Sequence, residues 1–184
     1  MQEIVPFSTI IYRDSLFGIN YNYMIDKITE MSKTLPSVAR SNSGGWQSES
    51  SKERSELMSQ IISEVDYRMN YVYTQYGIGA PNLSNYWINV NPKNTFNFAH
   101  NHPHSYFSAV LYLKTPENSG SISFDRPDML QDYIVPVILN QNNSPLFKVT
   151  PEAGMLLIFP SFLKHSVDMN LNDEERISIA FNYN

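Results

Sequence analysis

The chain has 184 residues, with 13 basic and 18 acidic side chains and a net charge near −5. Charged residues make up 17% of it and apolar residues 42%, which is typical of one globular domain and not of a disordered chain. No basic stripe is present to neutralise phosphates, so we expect no nucleic-acid partner. The chain contains no cysteine, which excludes disulfides, thiolate nucleophiles, zinc–thiolate sites and iron–sulfur clusters.

The N-terminal part of the chain predicts one strand and two helices. Residues 5–12 are apolar and β-branched, a pattern typical of a short strand. Apolar residues at helical spacing predict a helix within residues 15–35 and a second helix over about residues 52–75. Between them, residues 41–51 form a polar loop that contains one aromatic side chain, Trp46.

Short strands dominate after Pro81. Turns rich in proline and asparagine separate the runs that we predict as strands, which cover residues 86–90, 96–102, 106–114, 121–124, 155–159 and 176–183. Residues 126–148 are predicted to be irregular. The pattern predicts a mainly β fold with N-terminal helices, either a sandwich or a jelly-roll barrel.

All four histidines fall in two places: His100, His102 and His104 lie close together, and His165 lies far along the chain. Neutral imidazole is the commonest side-chain metal ligand. If the strand continues to residue 102, the first two imidazoles point to the same face, because side chains alternate along a strand. Pro103 ends regular pairing, so His104 is the weaker candidate. The alternative is a polar loop tip that happens to be rich in histidine.

Arg176 opens the last predicted strand and faces inward together with Ser178. An inward arginine in a barrel needs an anionic partner, because an unpaired buried charge is very costly. Asp168, Glu174 and Glu175 are candidates for a pairing at the surface. The other candidate is the carboxylate of a ligand, which the planar guanidinium would bind with two hydrogen bonds.

Short motifs are spread over most of the chain. They are Ser41-Asn42, Gly44-Gly45-Trp46-Gln47-Ser48, Trp87, Asn89-Val90-Asn91-Pro92, His100-x-His102-Pro103, Ser108-x-Val110-x-Tyr112-Leu113, Gly120-x-Ile122-x-Phe124, Pro151-x-x-Gly154, Phe159-Pro160-Ser161, His165-x-Val167 and Arg176-Ile177-Ser178-x-x-Phe181-Asn182. Together they resemble the 2-oxoglutarate and iron(II)-dependent oxygenases, and among these a branch common in marine cyanophages and marine bacteria.

The resemblance implies a double-stranded β-helix, that is, a jelly-roll or cupin-like barrel. Residues 1–184 would form a single oxygenase domain, with helical support and the Trp46 loop in residues 1–80 and the jelly-roll core in residues 81–184. It also implies that three histidines hold Fe(II): His100, His102 and His165.

The cosubstrate 2-oxoglutarate is the second group that the resemblance implies. Arg176, helped by Ser178, would pair with its distal carboxylate. Tyr112 matches a position that often offers a phenol to the same carboxylate, and its alternative is a core tyrosine. Asn91 either lines the cosubstrate pocket or forms the turn before Pro92.

The second ligand departs from the wider superfamily. Its usual triad has two histidines and one carboxylate, and here His102 stands in place of the carboxylate. The branch itself carries this histidine. Asp125 is the nearest carboxylate in the sequence that could enter the site instead, and we assign no role to Arg126.

The function implied is that of a dioxygenase which uses 2-oxoglutarate and O₂ to hydroxylate an unknown small molecule or peptide, with peptidyl proline a candidate by analogy. Residues 126–148 and the Trp46 loop are the expected lids, and Trp46 is either a stacking surface or a loop anchor. The alternatives are a cupin-like three-histidine metalloenzyme without 2-oxoglutarate and a non-catalytic jelly-roll protein that binds or has a structural role.

Residues 1–7 lack the basic segment and the apolar run of a signal peptide, and no apolar run is long enough to span a membrane. We therefore expect no membrane partner and a cytoplasmic location, that of the host cell if a phage encodes the protein. The sequence does not determine the oligomeric state.

Overall fold

The computed structural model describes residues 2, 4, 7–128 and 130–184. Three helices lie in these ranges: α1 (Tyr21–Thr34), α2 (Glu56–Tyr76) and the single turn α3 (Leu130–Tyr133). Helix α1 begins after Asn20, whose side chain accepts a hydrogen bond from the Tyr23 amide. Helix α2 ends at Gly77, which has the left-handed conformation (φ 62°) that glycine adopts without strain. None of the described helices is both long and apolar enough to cross a membrane.

Eleven strands lie in the described part of the chain. They are β1 (Tyr12–Ser15), β2 (Asn42–Ser43), β3 (Trp46–Gln47), β4 (Leu83–Asn91), β5 (Phe96–His100), β6 (Phe107–Lys114), β7 (Ile122–Asp125), β8 (Leu146–Val149), β9 (Met155–Pro160), β10 (His165–Val167) and β11 (Arg176–Tyr183). They form two antiparallel sheets, in the orders β1-β9-β6-β11-β4-β3 and β2-β5-β10-β7-β8. The mainly β architecture predicted from the sequence is therefore confirmed.

Side-chain alternation divides the core into two layers. On β6, Leu111 and Leu113 belong to a cluster that includes the buried faces of α1 and α2, whereas Val110 and Tyr112 face the other sheet. The second layer fills the space between the sheets with residues of both, such as Ile122 from β7. The helices thus cover the outer face of the larger sheet, and the candidate site lies between the two sheets beside this second layer.

Several local predictions differ from the structure. The first strand begins at Tyr12, because its pairing with β9 decides its position; Ile10 before it is 39% exposed, and residues 5 and 6 lie outside the described residues. The polar loop 41–51 contributes β2 and β3, one to each sheet. The segment 126–148, predicted to be irregular, contains α3 and β8, apart from the undescribed Met129. The short strand β10 was missed.

Candidate metal and cosubstrate site

The inner face of the larger sheet is polar around β4 and β11. Arg176 pairs across the strands with Asn91, and Ser178 pairs with Asn89 on one side and with Tyr112 on the other. Side chains at alternate positions of these strands line a cavity between the two sheets. Arg176, Ser178, Tyr112 and Asn91 are therefore brought together in the lining of one cavity.

Three histidines meet at the other end of this cavity. His100 ends β5 and lies directly opposite His165 of β10, so strand register brings these two imidazoles together. His102 lies beyond the end of β5, in a turn fixed by the hydrogen bond from its amide to the Ser161 carbonyl (2.9 Å). The possible ligand atoms of the three rings lie within 4.8 Å of one another. The predicted strand to residue 102 was thus wrong, and a loop contact positions His102 instead of strand alternation.

Backbone carbonyls orient two of the rings. The Nδ1 atom of His100 lies 2.7 Å from the Phe98 carbonyl oxygen, and that of His165 lies 2.9 Å from the Leu163 carbonyl oxygen. A carbonyl only accepts, so each Nδ1 carries the proton and donates it. The Nε2 atom of each ring keeps its lone pair, as a metal ligand requires.

Asn182 orients the third ring. The Nδ1 atom of His102 donates to the side-chain oxygen of Asn182 at 2.8 Å, and the Ser108 hydroxyl donates to the same oxygen at 2.8 Å. The Nε2 atom of His102 is buried and has no hydrogen-bond partner among the described residues. A buried polar atom without a partner costs free energy, which indicates that a ligand belongs at this point.

The imidazoles are in the neutral form that binds metals. Burial, with a contribution from the nearby His100, lowers the pKa of His102 to about 4 and that of His165 to about 3. Burial also lowers the pKa of His100, although its hydrogen bond to Phe98 opposes the change. At neutral pH the three rings therefore offer lone pairs to a cation without first releasing protons.

Arg176 lies at the inner end of the cavity and is only 1% exposed. Its Nη1 atom donates to the carbonyl oxygens of Ser119 and Gly120. Gly120 (φ 91°) has no substitute here, since a Cβ atom would lie 2.3 Å from the Asp168 carbonyl oxygen and 2.8 Å from Nη1 of Arg176. Burial lowers the pKa of Arg176, and the nearby Tyr112 and Asp168 partly oppose this.

No carboxylate within the described ranges lies within 4.0 Å of the Arg176 guanidinium. The three surface candidates are engaged elsewhere: Asp168 pairs with Lys148 at 2.8 Å, and Glu174 and Glu175 pair with Lys114 at 3.1 and 3.2 Å. Arg176 is therefore a buried cation that lines a cavity and has no carboxylate partner among the described residues.

Other candidates lie outside the site. His104 is exposed and has a positive φ of 67°. The carboxylate of Asp125 lies 3.3 Å from Nζ of Lys164 and is not part of the histidine cluster. Trp46 packs against the helical core, and its indole nitrogen donates to the Leu35 carbonyl oxygen at 3.0 Å, so it anchors its loop. Arg126 pairs with Asp128.

The comparisons with known proteins identify the family. Residues 85–182, more than half of the chain, match the family described as "Putative 2OG-Fe(II) oxygenase". The chain belongs to this family. It is therefore an oxygenase, and its cofactors are 2-oxoglutarate and Fe(II), as the resemblance implied. No curated protein matches the sequence.

Solved structures share the fold of this oxygenase at low sequence identity. A prolyl-4-hydroxylase from Pseudomonas putida is 16% identical, with 96% of this chain and 92% of that chain covered and a TM-score of 0.65. The epimerase SnoN from nogalamycin biosynthesis is 15% identical, with 95% and 78% covered and a TM-score of 0.72. The viral collagen prolyl hydroxylase of Paramecium Bursaria Chlorella virus-1 is 13% identical, with 94% of each chain covered and a TM-score of 0.62. The double-stranded β-helix is thus confirmed.

The site of the oxygenase fits both cofactors. Three neutral nitrogen donors suit a divalent transition metal, and the unpaired Nε2 of His102 points to a group that is bound at their centre. Arg176 supplies the cationic partner that a dicarboxylate needs. The three histidines and Arg176 line the same cavity.

Four residues near the site were not assigned a role from the sequence: Ser41, Trp87, Asn89 and Asn182. The hydroxyl of Ser41 lies 3.4 Å from Nε2 of His100, and the rings of Trp87 and His102 are 5.2 Å apart. Trp87, Asn89 and Asn182 occupy inward positions of β4 and β11, so period-2 alternation could have found them. Ser41 carries no such signal, because only the pairing of β2 with β5 brings it here.

A second, wider cleft of about 600 Å³ lies outside the first cavity. Both spaces are bordered by Ser41, Trp87, His100 and His102. The histidine cluster therefore stands between an inner cavity that ends at Arg176 and an outer cleft.

We expect Asn182→Ala to weaken Fe(II) binding about tenfold, at the lower end of the roughly 10–100-fold cost of removing an outer-shell partner. The reason is that Asn182 fixes the orientation and protonation of His102. Titration of the apoprotein with Fe(II) under nitrogen measures the change. Asn22→Ala, at an exposed position of α1, is the matched control. Equal Kd values for the two variants would show that His102 is oriented without Asn182.

Proposed function

We propose that the protein is a dioxygenase that hydroxylates a C–H bond of a substrate bound in the outer cleft. The observation that carries this proposal is the buried Arg176, which has no carboxylate partner in the described part of the chain and faces the same cavity as the three histidines. A site for a metal alone would not need a buried cation in the same cavity. The metal chelate of a dicarboxylate needs both.

Each candidate residue has a proposed role. His100, His102 and His165 would hold Fe(II) through their Nε2 atoms. When bound, Fe(II) and 2-oxoglutarate would together supply the oxidative chemistry, in which the cosubstrate becomes succinate and CO₂, with one oxygen atom of O₂ entering succinate and the other the substrate. Arg176 and Ser178 bind the distal carboxylate of 2-oxoglutarate.

Two further residues complete the proposed cosubstrate pocket. Burial raises the pKa of Tyr112, so its hydroxyl stays protonated and can donate to the same carboxylate. Asn91 ends β4 with its side chain in the cavity, and its buried Nδ2 has no partner among the described residues. That amide donor is available to the cosubstrate. Apolar side chains of both sheets, including Ile122 and Phe159, line the remaining walls and exclude water.

The alternatives lack such support. A cupin-like enzyme without 2-oxoglutarate would leave Arg176 as an uncompensated buried charge, which is costly. A non-catalytic jelly-roll protein would have no need for three neutral imidazoles around one point. Peptidyl proline is a candidate substrate that is suggested only by the names of two structural relatives.

We also propose that residues 1–184 form one oxygenase domain, because β1, β2 and β3 complete sheets built from the later strands.

Anaerobic addition of Fe(II) and 2-oxoglutarate together is expected to produce the visible charge-transfer band of the metal-bound cosubstrate. Fe(II) alone and 2-oxoglutarate alone are the controls, and neither should give the band. A folded protein that binds Fe(II) but shows no band with 2-oxoglutarate would contradict the proposal.

A further inference from the structure

The outer cleft is a polar space with two aromatic walls. Trp87 and Phe98 line it, and Phe98 is 58% exposed. Four amide side chains contribute to the polar part of the wall: Gln47, Asn85, Asn101 and Asn182. Such side chains both donate and accept hydrogen bonds, so the cleft suits a molecule with polar groups.

Gln47 of β3 is a buried amide residue that lines the cleft. It is only 4% exposed, and no hydrogen bond of its side-chain amide is found within the described residues. Pairing of β3 with β4 places Gln47 beside Asn89, on the inner face of the larger sheet. An amide that lines a cleft and has no protein partner keeps its donor and acceptor for a bound molecule.

The charge of the cleft is positive. Among the described residues that line the cleft, Arg40 has the only charged side chain, because the imidazoles of His100 and His102 are neutral, and no carboxylate lines it. The guanidinium of Arg40 has no carboxylate within 4.0 Å among those residues either. The backbone around Arg40 is nevertheless fixed, because its amide donates to Asn42 Oδ1 (2.9 Å) and Asn42 Nδ2 donates to the Gly45 carbonyl oxygen (2.9 Å).

The proposed metal site adds to this charge. Fe(II) carries two positive charges and 2-oxoglutarate two negative ones, and Arg176 adds one positive charge. With three neutral imidazoles the loaded site keeps one net positive charge, whereas the common triad with one carboxylate would be neutral. The histidine cluster borders the cleft, so the substrate would meet this charge as well as that of Arg40.

We propose that the outer cleft selects an organic substrate with an anionic group, a carboxylate or a phosphate, which pairs with Arg40 while its polar groups contact the amide of Gln47. This inference rests on the proposed function, because part of the positive charge comes from Fe(II). It makes Arg40 a specificity-determining residue. The chain as a whole is acidic, so this cationic cleft contrasts with the rest of the protein.

Two aromatic acids and their neutral counterparts test the inference. Benzoate and benzamide have nearly the same shape and differ in charge, and phenyl phosphate and phenol serve for the phosphate arm. Isothermal titration calorimetry measures the binding of each probe. Titrations use the protein loaded with Fe(II) and saturating 2-oxoglutarate under nitrogen, so that the Arg176 end of the inner cavity is occupied.

We expect one anion at least to bind about fivefold more tightly than its neutral counterpart, as for a favourable exposed ion pair. The anion that shows this preference identifies the group. Arg40→Gln should remove the preference and leave the neutral probe unchanged, and Arg40→Lys should keep most of it. Arg13→Gln, which removes the same charge from a side chain paired with Glu152, is the matched control.

Three results would overturn the inference. Each charged probe could bind no more tightly than its neutral counterpart, all four probes could fail to bind, or the preference for the anion could survive Arg40→Gln. The Fe(II)–2-oxoglutarate band is measured on the same samples. A missing band contradicts the proposed function, whereas a normal band without an anion preference contradicts only the role of Arg40.

Discussion

His102→Ala is expected to weaken Fe(II) binding by more than about 100-fold, beyond the cost of losing an outer-shell partner, whereas His104→Ala should bind Fe(II) like the unsubstituted protein. In the proposed site His102 supplies one of three nitrogen donors, and its Nε2 atom has no hydrogen-bond partner in the described part of the chain. His104 is exposed and lies outside the cluster. The two residues have the same side chain and are separated by one proline, so each variant is a close control for the other. Anaerobic titration with Fe(II) measures both.

The reverse result would mean that the metal site uses His104 and not His102. Thermal unfolding of the apoproteins checks that both variants fold. If His102→Ala fails this check, His102→Gln retains a polar side chain of similar length, and it is expected to fold and still to bind Fe(II) poorly. Unchanged Fe(II) binding by a folded His102 variant would contradict a three-histidine site.

Arg176→Leu is expected to weaken binding of 2-oxoglutarate by about 100-fold or more, because breaking a buried charge pair typically costs 3–5 kcal/mol. Leucine keeps the site apolar and removes the cation that would face the distal carboxylate. Arg176→Lys should give an intermediate affinity, since it keeps the charge but not the planar fork. The visible band of the anaerobic Fe(II) complex, titrated with 2-oxoglutarate, gives the affinities.

Pyruvate is the matched ligand for this experiment, because it has the chelating 2-oxo acid group and lacks the distal carboxylate. We expect Arg176→Leu to leave the binding of pyruvate nearly unchanged while it weakens that of 2-oxoglutarate. An equal loss for both ligands would indicate general damage to the cavity. Unchanged affinity for 2-oxoglutarate would show that another group binds the distal carboxylate.

Local patterns predicted most of the fold. The last strand was predicted at its observed bounds, Arg176–Tyr183, since alternation of apolar and polar residues over eight positions is a strong signal. Both long helices were also predicted, because their apolar residues recur at helical spacing. The short strands β2, β3 and β10 were missed, because two or three residues carry no periodicity and become strands only through their partners.

The candidate site was predicted in its residues more than in its geometry. The inward direction of Arg176 and Ser178 followed from alternation along one strand, and the structure places both in the cavity. The role of Ser41 was not predictable, because residues far apart in sequence meet there through pairing of β2 with β5. Whether Arg176 has a protein partner was also open, since pairing depends on which carboxylates come near it.

The sequence by itself determined the type of fold and the family, and it supplied the candidate residues for the site. Hydrophobic periodicity and a concentrated group of histidines are properties of short segments, and they can be read without knowledge of what those segments contact. The tertiary structure alone decided how these residues combine. The β5–β10 register sets His100 opposite His165, and the Ser161 carbonyl holds His102 in a turn where strand alternation no longer applies. Lys114 and Lys148 pair with three carboxylates that lie near Arg176 in the sequence, and Arg176 has no carboxylate partner among the described residues. These are long-range contacts, and their partners are set by the packing of two sheets and not by neighbouring residues.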